Sequence, residues 1–396
     1  MDDGSQHEEE AISRVGPNGP VPSQRPDGRA DGARADLRTQ ARDAGLRSDD
    51  AEWDAAAWAV RPGFRRAKVY AHSVKTRALG IAYGYHNATR ATAAAVEHDD
   101  SNDVALHIAP AAQYQADRAG RLNILLTMQE SPTMAADDVK ALAAGVDWII
   151  TPSTFCAEIY GREGWRGRVT VAPLAIRLGI FKPSPVPREK WPHLPFRWLW
   201  IGSTDPRKGQ ATALLAWRRF FADRPEVELY LKSTAPGSDG IERGGNITMD
   251  WRNLPTLELA ELYRTADAFV FATAGEGYGY PLVEAMASGL PVVATAATAT
   301  GDWVTPRTAL RIPHVWKRLN VYSRPSQDAD EKYAMAIPSV LGTAQAMARL
   351  MADYPAALQR ARRALGMAHA RARLDHYAAG IYEAVRGVRK KGRRTA

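Results

Sequence analysis

The stretch GEGYGYPLVEAMASGLPVVA, residues 275–294, carries most of the information about the fold. Its first five residues are rich in glycine, which is typical of a loop. Pro281 suits the first turn of a helix. Gly289 and Pro291 end that helix before the next apolar strand. The stretch therefore predicts a loop, a short helix and a buried strand in succession, as in a parallel α/β sheet.

Outward from this stretch, short apolar runs alternate with helical patterns along most of the chain. The predicted strands are 67–71, 104–109, 123–128, 148–151, 169–172, 198–201, 228–232, 268–272 and 292–294. The predicted helices are 87–97, 135–144, 153–160, 211–222, 257–264 and 282–287, and 344–388 is predicted to be mostly helical. Short apolar strands that alternate with helices favour parallel sheets covered on both faces. The fold class is therefore α/β, with two Rossmann-like doubly wound units.

The proline distribution divides this pattern into domains. Five prolines lie between residues 182 and 195, which is typical of an interdomain linker. The predicted divisions are a disordered acidic tail (1–62), a first Rossmann-like domain (63–185), a second (186–365), and a helix that crosses back with a basic tail (366–396). The tail is predicted to be disordered because it has few large apolar residues to bury.

The net charge of +8 is unevenly distributed. Residues 1–60 hold thirteen acidic residues against seven arginines, whereas residues 359–396 hold eleven basic residues against two acidic ones. A solvated helix face explains the basic end, and so does contact with phosphate on nucleic acid or a membrane surface. The acidic start does not resemble a secretion signal, and no apolar run is long enough to span a bilayer. Together with a single cysteine, this predicts a cytoplasmic protein without a disulfide framework.

Two loops of the second domain are expected at the carboxyl ends of its strands, where open α/β sheets bind ligands. The first is GSTDPRKG, residues 202–209. Gly209 allows close backbone approach, and the following helix start attracts a phosphate. Arg207 and Lys208 add two cationic donors suited to a pyrophosphate. Taken alone, the same residues also fit an ordinary polar loop.

The second loop begins the stretch 275–294 and carries two carboxylates. Gly277 and Gly279 let backbone amides approach a ligand. Glu284 is expected in the first helical turn, where it can accept two hydroxyl hydrogen bonds, as from a ribose. Glu276 is expected nearer to a bound sugar. An isolated glutamate at the position of Glu284 would also be explained by stabilisation of the helix start.

The pair Glu276 and Glu284, within EGYGYPLVEAMASGLPVV, resembles the E-x7-E signature of glycosyltransferase family 4. Further segments are similar to that family: VTVAPLAI at 169–176 with FKP at 181–183, LLTMQE at 125–130, ITPSTF at 150–155, and 257–271. The resemblance covers about residues 66–385 and implies the GT-B fold, in which two Rossmann-like domains face each other across a cleft. It also implies a retaining glycosyltransferase that uses a nucleotide-sugar linked to UDP or GDP and needs no metal or other cofactor.

The resemblance assigns roles to individual residues. Arg207 and Lys208 would bind the donor pyrophosphate and stabilise the leaving group. Glu276 would lie near the donor sugar and Glu284 would hold the ribose. The remaining donor-site residues would contribute loop and backbone contacts: Gly202, Ser203, Gly209, Gly277, Tyr278 and Gly279. Many family members carry Arg where this chain has Ser203, and Arg207 is expected to supply that charge.

The acceptor side is expected on the first domain. Gly80, Gly84, Tyr85 and His86 lie on its first predicted loop, and Glu130 is expected at the end of a strand that faces the cleft. Glu130 or His86 is predicted to contact the acceptor hydroxyl. Helix capping or simple surface exposure explains these residues equally well.

The function predicted from these observations is transfer of a hexose-type sugar to a hydroxyl acceptor. The acceptor stays open between a glycan, lipid or small molecule and a hydroxymethylated DNA base, with nucleic acid bound through the basic end. The alternatives are a GT-B-fold hydrolase, epimerase or phosphorylase, and a non-catalytic module that binds a nucleotide-sugar.

Overall fold

A computed structural model gives the fold of most of the chain. It describes residues 66–71, 88, 97–98, 103–111, 114, 122–134, 136–185, 195–234, 239–319 and 333–395. The predicted tail 1–62, most of the proline-rich linker and the loop with Gly80, Gly84, Tyr85 and His86 lie outside the described residues.

The first sheet has six strands, all parallel. They are β1 (Arg66–Ala71), β2 (Glu97–His98), β3 (Val104–Ile108), β4 (Leu122–Leu126), β5 (Trp148–Thr151) and β6 (Arg168–Val171). Their order is β2-β1-β3-β4-β5-β6, so the winding direction reverses between β1 and β3. The prediction of a helix over 87–97 is wrong at its end, because Glu97 belongs to β2 and pairs with Arg66.

The second sheet has seven strands, in the order β13-β12-β11-β7-β8-β10-β9. They are β7 (Phe196–Ile201), β8 (Val227–Lys232), β9 (Ile241–Gly244), β10 (Ile247–Asp250), β11 (Ala268–Phe271), β12 (Val292–Thr295) and β13 (Leu310–Ile312). All pairs are parallel except β9 with β10. The winding direction reverses between β7 and β11. Doubly wound sheets bind ligands at such a reversal, beyond the carboxyl ends of the strands.

Eight helices are described in full. They are α1 (Ala136–Ala143), α2 (Thr154–Arg162), α3 (Gln210–Phe220), α4 (Thr256–Arg264), α5 (Tyr280–Ala287), α6 (Val340–Ala352), α7 (Tyr354–Arg371) and α8 (Leu374–Thr395). Two 3-10 turns lie in the second domain, at Pro206–Lys208 and Thr298–Asp302. The predicted GT-B architecture of two doubly wound α/β units is confirmed.

The second sheet is buried on both faces, as its apolar strands require. Along β7, Trp198 and Trp200 point into one core, whereas Leu199 and Ile201 point into the other. The core that holds Leu199 and Ile201 continues into the first domain, where it includes Ile124 and residues of α8. The two sheets therefore share one continuous apolar core.

Helix α8 crosses back from the second domain and packs against β4, β5 and β6 of the first sheet. Glycines allow the close approach: a Cβ on Gly380 would lie 2.5 Å from the Cβ of Ala172, and one on Gly387 would lie 2.3 Å from the ring of Trp148. Arg389, on the outer side of the helix, makes an ion pair of 2.6 Å with Asp103. Part of the basic end is thus used within the fold.

The sequence patterns missed several strands. Strands β9, β10 and β13 were not predicted, nor was an antiparallel hairpin of β14 (His314–Leu319) and β15 (Tyr333–Pro338). This hairpin is inserted between β13 and α6, and it forms a separate two-stranded sheet beside the interdomain cleft.

Candidate functional site at the sheet reversal

Two loops meet at the reversal of the second sheet. The loop after β7 is residues 202–209, and the loop after β11 is residues 272–279. They are joined by main-chain contacts, since the Ala274 N–H donates to the Arg207 carbonyl over 2.8 Å. The structure therefore brings the two predicted ligand loops together in one site.

Lys208 and Glu276 form the central ion pair of this site. The Lys208 Nζ lies 2.7 Å from Oε1 and 2.9 Å from Oε2 of Glu276. Both side chains are largely buried, with 16% and 5% of their surface exposed. A cation and a carboxylate held this closely neutralise each other, and an anionic ligand at this position would have to displace Glu276 from Lys208.

Arg207 lies at the interface between the two domains. Its Nη2 is 2.9 Å from Oε1 of Glu130 in the first domain and 3.6 Å from Oδ2 of Asp205. Its Nη1 donates to the Gly275 carbonyl and lies 3.6 Å from Oε1 of Glu276. The guanidinium, which is 3% exposed, is thus surrounded by carboxylates from both sides of the cleft.

The backbone of Glu276 is fixed on both sides by the turn at Thr298–Asp302. The Glu276 N–H donates to the Thr298 hydroxyl over 2.9 Å, and its carbonyl accepts from the Ala299 N–H over 3.1 Å. Thr298 adopts a φ of +51°, which is unfavourable for a β-branched residue. Such strain is found where surrounding contacts enforce it, often at functional sites.

The N-terminus of α3 begins directly at this loop. Gly209 has a φ of +72° and gives the helix no side-chain cap. A Cβ on Gly209 would lie 1.6 Å from the Ala272 carbonyl oxygen, so only glycine fits. Within the described part of the chain, the buried Oγ of Ser203 and Nε2 of Gln210 find no hydrogen-bond partner. Uncapped N–H groups and unpartnered donors favour binding of an anion here.

Glu284 lies elsewhere than predicted. Helix α5 begins at Tyr280, so Glu284 is in its second turn and not in its first. Stabilisation of the helix start therefore does not explain it. The side chain is 1% exposed, and one of its oxygens accepts a hydrogen bond of 2.9 Å from the Tyr263 hydroxyl.

The glycines around Tyr278 have more than one use. A Cβ on Gly277 would lie 2.7 Å from the Met128 side chain, so this glycine lets the first domain approach the loop. Gly279 has a φ of +89° and precedes α5. The Tyr278 side chain is buried and donates to the Leu174 carbonyl over 2.6 Å. Burial raises the pKa of Tyr278 well above its usual range, although Arg371 opposes the shift.

Of the residues predicted for the acceptor side, Glu130 is the one that the structure describes. It does not end a strand, because β4 stops at Leu126 and Glu130 lies in the bend that follows. Its ion pair with Arg207 nevertheless places it against the donor-side loops. Gly80, Gly84, Tyr85 and His86 lie outside the described residues, so their acceptor roles stay predictions.

Several residues that hold the site together were not predicted from the sequence. Asp205 caps the 3-10 turn by accepting from the Arg207 N–H over 2.9 Å, and its position before Pro206 is a helix-start signal that could have found it. Thr273 donates to Oε1 of Glu276 over 3.1 Å. Asp302 accepts from the Thr154 N–H at the start of α2 over 2.8 Å. No sequence signal identifies these last two partners, because both contacts depend on how the chain folds back.

A second polar cluster lies at the same sheet edge, at the ends of β8 and β10. Burial lowers the pKa of Lys232, although Asp250 opposes this shift. Burial acts to raise the pKa of Asp250, but hydrogen bonds from Arg252 and Tyr230 lower it on balance. The Lys232 carbonyl accepts from the Gly202 N–H over 3.1 Å, so this cluster adjoins the loop 202–209.

The family model for group 1 glycosyl transferases matches residues 195–319, which contain both loops of the site. These residues are therefore similar to the domain that group 1 glycosyl transferases share. The match begins just before β7 and ends with β14, so it covers the second sheet and leaves the first domain and the carboxyl-terminal helices outside. The resemblance stated from the sequence is thereby confirmed for this domain, whereas the retaining mechanism stays a prediction.

Curated relatives share parts of this chain. The D-inositol 3-phosphate glycosyltransferase of Segniliparus rotundus is 32% identical over 142 residues, which are 32% of this chain and 31% of the relative. The enzyme of the same name from Streptosporangium roseum is 27% identical over 228 residues, 51% of this chain and 52% of the relative. The chain thus spans about half or less of the length of these relatives.

Solved structures share the fold at low identity. A glycosyltransferase from Rickettsia africae covers 83% of this chain and 100% of its own, with a TM-score of 0.58 and 10% identity. Anabaena Alr3699/HepE in complex with UDP and glucose covers 71% of this chain and 77% of its own, with a TM-score of 0.53 and 14% identity. This similarity shows a shared GT-B architecture.

The structure adds two findings on partners. Over the described ranges, no group of three His, Cys, Asp or Glu side chains is arranged to hold a metal ion. In those ranges, no helix combines the length and the apolar character that crossing a bilayer requires. The predicted metal independence and cytoplasmic location are not tested by these findings and stay predictions.

Proposed function

We propose that the protein transfers a hexose-type sugar from a nucleotide-diphosphate sugar to a hydroxyl acceptor, with retention of configuration. The observation that carries the proposal is the cluster of Arg207, Lys208 and Glu276 at the uncapped start of α3, facing Glu130 across the cleft. Two cations beside a helix N-terminus form a site for a doubly charged group such as a diphosphate.

The diphosphate is proposed to bind between Lys208 and the first turn of α3. Gln210 and Ser203 supply polar groups that have no partner in the described structure. Lys208 exchanges Glu276 for a phosphate oxygen when the donor binds. Glu276, held at its backbone by Thr298, is then available to accept hydrogen bonds from the donor sugar. Glu284 is proposed to hold the ribose, in which case the nucleoside lies along α5.

The transfer step follows from this arrangement and from the family resemblance. The bond between the sugar C1 and the leaving phosphate oxygen breaks, and a bond from C1 to the acceptor oxygen forms on the same face. The proton of the acceptor hydroxyl passes to the departing phosphate. Arg207 and Lys208 stabilise the charge that develops on the diphosphate, and removal of one such group costs roughly 100- to 1,000-fold in kcat. Metal independence is part of this proposal.

The acceptor is proposed to enter from the first domain. Glu130 is paired with Arg207, so it lies within reach of the region where the sugar would be transferred. His86, with Gly84 and Tyr85, is proposed to complete the acceptor side. A glycan, lipid or small molecule is one acceptor class. A hydroxymethylated DNA base is the second, favoured by the basic residues at the carboxyl-terminal end.

Other functions of the same fold fit the site less well. A glycoside hydrolase needs two carboxylates on either side of the scissile bond. Here the second carboxylate, Glu284, is 1% exposed and bound by the Tyr263 hydroxyl. A hydrolase also has no need of the cation loop. An epimerase or a phosphorylase differs from a transferase in its products. A non-catalytic binding module forms no product.

The test is a donor screen followed by product analysis. UDP- and GDP-linked hexoses are incubated with the protein and hydroxyl acceptors, products are identified by mass spectrometry, and the anomeric configuration is read by NMR. The proposal predicts an acceptor-dependent glycoside of retained configuration that is lost in the Glu276→Ala variant. Free sugar formed at the same rate without acceptor would indicate a hydrolase, and donor binding without any product would indicate a binding module.

A further inference from the structure

The outer strand of the β14–β15 hairpin exposes an aromatic surface. Trp316 has 49% of its surface exposed and Val315 has 57%. Strand alternation places His314, Trp316 and Arg318 on one face of the hairpin. The rings of His314 and Trp316 meet edge to face with their centroids 5.7 Å apart, so they form one aromatic surface.

The same strand is basic. Lys317 and Arg318 follow Trp316 directly, and Arg311 is exposed on β13. No Asp or Glu occurs in residues 310–319 or 333–338. Basic residues on an edge strand protect it from pairing with other strands. An exposed tryptophan gives no such protection, because a large apolar side chain in solvent promotes association.

The inner strand of the hairpin is attached to both sides of the cleft. The Ala336 N–H donates to the Ala274 carbonyl over 2.9 Å, next to the donor-side loop. The Ser131 hydroxyl donates to the Ala334 carbonyl over 3.1 Å, next to Glu130. A partner bound along β14 would therefore lie beside the cluster of Arg207, Glu276 and Glu130.

We propose that β14 binds an unpaired nucleic-acid strand, with a base stacked on Trp316 and a phosphate paired with Arg318. Aromatic rings beside a cation, on strands that themselves carry no acidic residue, match the two chemistries of such a nucleic-acid strand, planar bases and a regular negative charge. An unpaired strand is also what an enzyme acting on a base requires. If the bound strand is also the acceptor, that role rests on the proposed function. Binding of the strand does not depend on the proposed function.

The test is fluorescence anisotropy of a dye-labelled oligothymidylate titrated with the full chain at several salt concentrations. Stacking of one base is removed in Trp316→Ala, so the affinity should fall at least about 5-fold. Arg318→Ala should lower the slope of log affinity against log salt by about 1. The matched controls are Phe220→Ala and Arg219→Ala. These two residues lie at the far end of α3, where Phe220 is 40% exposed and the Arg219 guanidinium is 5.6 Å from its ring. Both control variants should bind the oligonucleotide with the affinity of the unchanged chain.

Three results would overturn the proposal. The first is that the unchanged chain does not bind oligothymidylate. The second is that Trp316→Ala and Phe220→Ala bind it with equal affinity. The third is that the chain binds anionic vesicles through Trp316 but does not bind the oligonucleotide. Binding of UDP or GDP by the unchanged chain is measured separately. Failure of nucleotide binding would count against the proposed glycosyltransferase, while oligonucleotide binding is decided by its own titration.

Discussion

The two sides of the cleft are built in different ways. On the donor side, Arg207, Lys208 and Glu276 come from two loops at neighbouring strand ends of one sheet, and the main-chain hydrogen bond from Ala274 to Arg207 joins those loops. On the acceptor side, Glu130 lies on a bend four residues beyond its strand, and its carboxylate pairs with Arg207. The donor site is thus fixed by the topology of a single sheet, whereas the acceptor side depends on how two domains dock.

The difference concerns stability as well as position. The donor loops use glycines where no other residue fits, so the backbone itself is part of the site. The polar contacts across the cleft use side chains, as in the ion pair of Glu130 with Arg207 and the hydrogen bond from the Tyr278 hydroxyl to the Leu174 carbonyl. Substitutions of the donor-loop glycines should therefore affect folding, whereas substitutions of charged side chains in the cleft should affect binding.

The largest effect is expected for Gly209→Ala. The new Cβ would lie 1.6 Å from the Ala272 carbonyl oxygen, and the φ of +72° is unfavourable for alanine. The strain in φ and the forced backbone shift together should lower the free energy of unfolding by about 2–5 kcal/mol. Urea denaturation followed by circular dichroism measures this loss.

Gly245→Ala is the matched control for that measurement. Gly245 also has a positive φ, of +58°, but nothing lies within 4 Å of the added Cβ. It should cost about 1–2 kcal/mol from the backbone conformation alone. If the two variants lose the same stability, the tight contact between the loops after β7 and β11 is not present in solution.

A smaller effect is expected at Cys156 of α2, which meets the donor loop across the cleft. Its Sγ lies 3.5 Å from the Gly277 carbonyl oxygen. Burial raises the pKa of the Cys156 thiol from 9.0 to about 11. At pH 9 about half of the thiol is ionised in the unfolded chain and about 1% in the folded chain, so alkylation should be at least about 50-fold slower in the folded protein. Mass spectrometry follows the reaction, because this is the only cysteine.

The same pKa shift gives a dependence of stability on pH. The folded chain keeps its proton between pH 9 and pH 11, where the unfolded chain loses it, so the contribution of Cys156 to stability is lost as the pH rises through that range. Equal alkylation rates for folded and urea-unfolded protein at pH 9 would show that α2 does not stay against the donor loop.

The smallest effect is expected for Glu130→Gln. This change removes the carboxylate 2.9 Å from Arg207, which is one of the groups that compete with a diphosphate for the guanidinium. Because Glu130 is partly exposed, its attraction for Arg207 is modest, and affinity for UDP or GDP should rise about 2- to 5-fold. Calorimetric titration measures the change. Weaker binding in the variant would mean that the ion pair supports the donor site instead of competing with the donor.

Much of the fold was predictable because the chain repeats one simple pattern. Each of the nine predicted strands coincides with an observed one within a few residues, since buried parallel strands are short, apolar and separated by helices. The hairpin β14–β15 was missed because its strands lack a clear alternation and their pairing joins residues 314 and 338, far apart in sequence. Glu97 was assigned to a helix because an alanine-rich run precedes it.

The site was predictable as far as the sheet determines it. The contact between Lys208 and Glu276 follows from two loops at one sheet edge, which the order of strands and helices indicates. The position of Glu284 in its helix was wrong because Gly279, in the left-handed conformation, starts α5 earlier than Pro281 suggests. The ion pair of Glu130 with Arg207 depends on domain docking, for which a single sequence carries no local signal.

We propose that Lys208, just before α3, and Glu284, on α5, belong to one nucleotide site. Calorimetric titration of UDP and GDP into the unchanged chain, Lys208→Ala and Glu284→Ala tests it most directly, with Arg219→Ala as a control that removes a cation from the other end of the same helix. We predict that Lys208→Ala lowers affinity at least about 10-fold, that Glu284→Ala also weakens binding, and that the control has no effect. Unchanged affinity in both site variants would contradict the account.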